Sequence, residues 1–377
     1  MVTQMRVSVA IWGAVLTSVG GAAAAQTPAP EPSDPPAVPD GSGQKAGIDR
    51  MTFDGLVDVY YAYQLRGGGV QRLVPAYHVF SDEGNSLTMA YAKLGVGVTP
   101  APVGLRMDIG FGHVADVIAS DKGAGPTSDA AVIRLVEQAY VTFAASGRAP
   151  FTLDVGKLVS SAGAEAIEAN RNWNYSHTFI FGYATPYTLT GLRLSVTPTP
   201  RLKLQAFLVN GWDVVFDNNA AKTFGVGVGY VGPSGTMISF NGLAGIELTG
   251  ANAPWRLLAD LVITQDVGRW AFVLDMNYVH EGSGYWTGAA GYARFVPNPV
   301  VSLSLRGEIF ADEAGLLQAS THVLVEDLTL TVGFPIAGHA ELRAEVRADF
   351  ADHPFYLVDA TPETTQLSVL AAAVAWF

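Results

Sequence analysis

Glu341, Arg343, Glu345, Arg347 and Asp349 alternate one for one with Ala340, Leu342, Ala344, Val346, Ala348 and Phe350. In a strand, successive side chains point to opposite faces, so this spacing makes one charged face and one apolar face. A charged wall of both signs can line water and set a transverse field on a passing solute. The same polar parity in other segments adds Asp54, Asp58, Arg106, Asp108, Asp154, Arg193, Lys203, Arg256, Asp260, Asp275, Arg306 and Glu308. The competing reading is a narrow or plugged interior whose charges pair off structurally. A second cluster, Glu165, Glu168, Arg171, Asn172, Trp173 and His177, lies in the long connection 161–187. It is expected to fold inward and narrow the opening, its acids facing the wall arginines. The alternative is an outer cap that touches nothing inside.

Other chemistry finds less support. Gly225, Gly227 and Gly229 lack the helix and lysine of a phosphate loop, and their spacing puts all three on one strand face. His113 precedes Asp116 by three residues, but no further ligand lies at metal-site spacing. Ser176 and His177 are neighbours, and adjacent strand residues face opposite ways, which disfavours a nucleophile–base pair. With no cysteine, thiol catalysis, Cys-ligated zinc and a disulfide scaffold are excluded. No enzyme activity, metal or cofactor is expected.

Period-two alternation and turn residues place about sixteen strands on the chain. They fall near 52–65, 86–98, 103–118, 131–144, 151–160, 188–197, 201–211, 222–231, 236–246, 255–265, 269–280, 286–296, 300–311, 322–334, 339–350 and 364–377. Tight turns rich in Pro or Gly, such as 99–102, 197–200, 232–235 and 335–338, alternate with longer polar connections. Most segments reach the ~9–11 residues a tilted strand needs to cross hydrocarbon. Many keep one face free of charge, as Leu202, Leu204, Ala206 and Leu208 do opposite Lys203 and Gln205. Tyr61, Tyr63, Trp255, Trp270 and Tyr278 mark strand ends, where interfacial aromatic girdles sit. The expected fold is all-β, a transmembrane antiparallel up-and-down β-barrel with short periplasmic turns and longer extracellular loops. A secreted β-sandwich with its apolar faces inside is the rival.

Residues 1–25 read as a secretory signal peptide: Arg6, an apolar run from Val7 to Val19, then Ala23-Ala24-Ala25 before Gln26. Residues 26–50, with six prolines, read as a disordered or extended periplasmic leader, and 51–377 as one barrel domain. No later segment approaches the ~18 apolar residues of a spanning helix. Yet 49% of residues are hydrophobic and only 15% charged, which is apolar for a secreted soluble protein. Loss of Arg6 with the signal peptide moves the formal charge from −12 to −13. That acidity, without a basic tract, argues against nucleic acid as a partner.

Several stretches resemble a known family. They are Gly55-Leu56-Val57-Asp58-Val59-Tyr60-Tyr61-Ala62-Tyr63, Val155-Gly156-Lys157-Leu158-Val159 running to Asn172-Trp173-Asn174-Tyr175-Ser176, Asn210-Gly211-Trp212-Asp213 through Lys222-Thr223-Phe224-Gly225, and Gly291-Tyr292-Ala293-Arg294. Together they resemble the β-barrel porin 2 family of Gram-negative outer-membrane proteins. The resemblance implies a bacterial outer-membrane porin-like barrel and supplies no substrate. The expected function is diffusion of small hydrophilic solutes or ions with mild cation selectivity. The alternative is a non-conducting barrel acting as adhesin, receptor or anchor through its loops. Expected partners are outer-membrane lipid and lipopolysaccharide, the permeating solutes, and the barrel-assembly machinery, with Phe377 as its signal. A homotrimer is open to a barrel of this size, and no motif decides it.

Overall fold

The computed structural model describes residues 47–65, 77–119, 135–145, 150–250, 252–317, 322–358 and 361–377. The expected signal peptide, 1–25, and most of the expected leader, 26–50, lie outside the described residues. The strands are β1 (Met51–Gln64), β2 (Leu87–Val98), β3 (Val103–Phe111), β4 (Val136–Ala145), β5 (Phe151–Val159), β6 (Thr188–Thr199), β7 (Leu202–Trp212) and β8 (Thr223–Val231). They continue as β9 (Met237–Ile246), β10 (Trp255–Val267), β11 (Trp270–Glu281), β12 (Gly284–Asn298), β13 (Val301–Asp312), β14 (Val323–Ile336) and β15 (Ala340–Ala351). After a small hairpin of β16 (Tyr356–Val358) and β17 (Thr361–Glu363), β18 (Thr365–Trp376) ends the fold. Each long strand pairs antiparallel with its neighbours, and β18 pairs with both β15 and β1. The result is a closed barrel of sixteen strands, which leaves no free sheet edge.

The alternation seen in the sequence is inside-out relative to a soluble protein. On β15, Leu342 and Val346 are 48% and 46% exposed on the outer face, while Arg347 and Asp349 are 1% and 0% exposed inside. On β3, Val103, Leu105, Met107 and Phe111 are exposed outward and Asp108 is buried inward. An apolar outer belt and polar interior are what lipid demands, since a charge at midplane costs ~2–4 kcal/mol. Glu326 is an outward acid, placed near the loop end of β14, where that cost falls. Trp255, Trp270 and Tyr278 lie exposed on the outer face, and Trp270 stacks on Phe295 at 4.5 Å between centroids.

One expected element differs. The strand expected over 103–118 stops at Phe111, and a short helix, α1 (His113–Ala119), follows. Gly112, at φ +106°, makes the break, a conformation that costs glycine nothing. Val114, Ala115 and Ile118 then share one buried side, a spacing of one and four that suits a helical turn.

Barrel closure has a local requirement. Phe377 exchanges two main-chain hydrogen bonds with Gly55, at 3.1 and 3.2 Å. Its ring lies over Gly55, where a Cβ would overlap ring atoms. Gly55→Val is therefore expected to lower the yield of refolded, heat-modifiable barrel on a gel. Combining it with Phe377→Ala should recover part of that yield, because the colliding ring is gone.

Candidate pore constriction

Between β5 and β6 the chain enters the barrel and crosses it, and the wall charges determine how. A peptide segment inside a barrel must find partners for its own N–H and C=O groups. Here the carboxylates take the amides. Glu345 accepts from the N–H groups of Tyr175 and Ser176 at 2.6 and 3.0 Å, and Glu308 from those of Phe179 and Ile180, both at 2.8 Å. Asp260 accepts from Gly163 N–H at 3.0 Å and Asp275 from Ala164 N–H at 2.9 Å. The arginines take the carbonyls: Arg343 donates to Ala169 at 2.8 Å, Arg347 to His177 at 2.6 Å, and Arg306 to Ser176. Tyr175 donates its hydroxyl to Asp58 at 2.8 Å, and Asn277 donates to Ala184 C=O at 3.1 Å. A π-helical turn, Ile180–Ala184, packs Phe179 and Ile180 into a buried cluster with Trp286 and Phe310.

The expected constriction residues fall into distinct positions. Glu165 meets Arg306 at 3.1 Å and also accepts from the Tyr292 hydroxyl and Thr178 N–H. Glu168 is paired with Lys93 and lies 3.8 Å from Arg171. Trp173 is half-buried against the apolar cluster. His177 differs from the expectation of a lumen-facing group. It is buried within the loop, stacked on Phe181 at 4.5 Å, with Nε2 at 2.9 Å from Ala166 C=O. Its neighbour Ser176 meets Arg306 and Arg347 through Oγ, so the two do not form a nucleophile–base pair.

Two recesses adjoin the loop on the side of the short turns. One, of about 470 Å³, is lined by Asp54, Lys93, Arg106, Asp108, Glu168 and Arg171 among others. The other, of about 370 Å³, is lined in part by Glu165, Arg171, Trp173, Arg201, Lys203 and Gly229. Arg171 borders both. On the opposite side a second layer covers the loop. Phe80 packs on His177, Phe181 and Tyr187 with centroids 5.1–5.8 Å apart, and His78 meets Asp349 at 2.8 Å. Outside the strands, Asp82 lies 2.5 Å from His113 Nε2, and this contact raises the imidazole pKa above its usual value.

The ladder residues all turn inward, but they face the loop and one another more than open water. Arg106 bridges Asp54 and Asp108, Arg193 pairs with Asp154 at 2.9 Å, Glu341 with Arg343 at 2.6 Å, and Arg256 with Glu281 at 2.9 Å while lying over Trp212 and Trp286. Lys93 was missed by the sequence reading. It was legible, because it shares parity with Tyr91 and Gly95 opposite Leu94 and Val96. Glu137, 3.8 Å from Lys93, has no such parity, because β4 shifts register against β3 there and breaks the alternation.

The family described as "Putative beta-barrel porin-2, OmpL-like" matches residues 50–377. The chain belongs to this family. No curated protein sequence matches it. Solved structures share the fold at low identity. An anion-selective porin from Comamonas acidovorans superposes with TM-score 0.58 at 12% identity, covering 87% of this chain and 99% of that one. Salmonella typhi OmpF in complex with daunomycin gives 0.58 at 9%, covering 87% and 97%. OmpT of Vibrio cholerae, in-vitro folded and in trimer form, gives 0.53 at 8%, covering 87% and 99%.

The wall carboxylates predict their own test. Charge-assisted hydrogen bonds contribute about 1.5–3 kcal/mol each, and Glu308 with Glu345 supplies four of them to loop amides. The double variant Glu308→Ala, Glu345→Ala should keep the barrel, because the ladder hydrogen bonds remain. It should make 161–187 sensitive to protease while the barrel stays heat-modifiable on a gel.

Proposed function

We propose that this protein is an outer-membrane porin through which small hydrophilic solutes or ions diffuse, with loop 161–187 as its constriction. The observation that carries the reading is a closed, lipid-compatible barrel whose charged inner wall holds an inserted loop with recesses of about 470 and 370 Å³ beside it. Family membership over the whole barrel supports it. The short turns are assigned to the periplasm and the longer loops to the exterior. Lipid and lipopolysaccharide then surround the apolar belt, and Phe377 serves as the assembly signal. A homotrimer accords with the trimer form of one structural neighbour.

Selectivity follows from what answers each charge. Glu165 faces Arg306, and Glu168 faces Lys93 and Arg171, so the loop region is close to charge-balanced. The acid excess of the whole chain then leaves a mild preference for cations, which weakens as salt rises. A non-conducting anchor or receptor is the second reading, and the two-layer filling of the barrel by 161–187 and 77–85 favours it.

Planar-bilayer recording separates the two. The porin reading expects discrete conductance steps from heat-modifiable protein, and persistent silence supports the anchor. With Glu165→Gln and Glu168→Gln together, the reversal potential in a salt gradient should move toward anions. Both carboxylates are buried and paired, so the double variant should also unfold more easily, by about 1–3 kcal/mol.

A further inference from the structure

We propose that the recess of about 370 Å³ beside loop 161–187 binds a small organic anion with an apolar body, of the aryl carboxylate class. That such anions are also the solutes the barrel selects rests on the porin reading above; the binding itself does not. The recess exists because both of its faces are built from small or uncharged residues. The loop presents Gly163, Ala164 and Ala166 to it, whereas farther along the loop fills the barrel with Phe179 and Ile180. The wall opposite is made by inner positions of β8–β11: Gly229, Met237, Ser239, Val262, Thr264 and Val273. None of these is charged. Inner positions in the same half of the barrel on other strands carry Asp54, Arg106, Asp154, Arg193 and Glu341. A Cβ on Gly229 would meet nothing closer than Lys203 Cβ, at 3.7 Å, so crowding does not impose the glycine and its missing side chain is open volume.

The chemistry of the lining sets the ligand class. Arg171, Arg201 and Lys203 are its bases, and Glu165 is its one acid. Both oxygens of Glu165 are already engaged: Oε1 accepts from Arg306 and from the Tyr292 hydroxyl, each at 3.1 Å, and Oε2 from Thr178 N–H at 2.9 Å. Arg201, at the exposed rim, forms no ion pair among the described residues. Beside the recess, Arg294 turns inward on β12 two residues beyond Tyr292; it forms none either, and its Nε has no hydrogen-bond partner. The lining is therefore positive within a chain whose formal charge is −12. A guanidinium takes a carboxylate through paired N–H donors. Val262, Val273 and Trp173 supply apolar surface in the same recess. An inorganic anion would leave that surface wet, and a neutral apolar solute would leave the bases unanswered. An aryl carboxylate meets both needs, and the volume lies within the range of about 300–1,000 Å³ usual for ligand sites. Small inorganic ions respond to the field of the whole pore, whereas a solute that fits the recess is answered by the groups lining it.

The test titrates phenylacetate by calorimetry into the full-length protein folded in detergent. Saturable binding of one phenylacetate per chain is expected, weakening as salt rises. Acetate, which lacks the ring, and phenylacetamide, which lacks the charge, should each bind at least about tenfold more weakly. Gly229→Leu should fill the recess and lose the binding while the barrel stays heat-modifiable. If that variant fails to fold, Arg201→Glu serves, because a change at the exposed rim spares the barrel; its affinity should fall by about tenfold. Absence of saturable binding to folded wild type would overturn the proposal. So would acetate or phenylacetamide binding as well as phenylacetate, or affinity unchanged in either folded variant. Planar-bilayer recording separates this site from the porin reading. Conductance steps without phenylacetate binding would remove the site and leave the porin; binding by a silent barrel would keep the site and remove the porin.

Discussion

Main-chain hydrogen bonding of a loop inside a membrane barrel is the constraint on which the interior depends. Strand amides are satisfied by the ladder, whereas an inserted loop has no ladder and little water. The wall supplies both halves of the need. Carboxylates of Glu308 and Glu345 each accept from a consecutive pair of amides, and the guanidiniums of Arg306, Arg343 and Arg347 donate to carbonyls. Acids and bases alternate along β13 and β15 because both kinds of backbone group must be met within a few residues of each other.

Such charges are costly to bury, and an ion pair in low dielectric does not by itself stabilise a fold. What offsets the cost is that each guanidinium serves several acceptors at once: Arg306 contacts Glu165, Asp327 and Ser176, and Arg347 contacts Asp349, Asp327 and His177. The gain is positional: the loop has one place to sit, since sliding by a residue would strand several charges. A wall read only as lining for water would not need this matching.

Much of the fold was legible from alternation alone. Strands such as 340–351 carried unmistakable parity, and turns with Pro or Gly placed the ends to within a few residues. The helix at His113–Ala119 was not, because Val114 and Ile118 also fit a period-two reading over so short a run. Within the site, the charged residues of the loop drew notice while its main chain did most of the bonding. Tyr175 and Asn174 offered no pattern that pointed to Asp58 and Thr331, which lie more than a hundred residues away in sequence. Charge type was readable, but partner choice depended on barrel register, which no local spacing encodes.

The central claim is that wall carboxylates fix loop 161–187 as firmly as the sheet fixes its strands. Amide hydrogen exchange on the folded wild-type barrel, resolved at Tyr175, Ser176, Phe179 and Ile180, addresses it directly. Protection close to that of the central strand amides is expected. Exchange as fast as that of exposed loop residues such as Gly250 would contradict it, and would mean that the loop is not held by the wall.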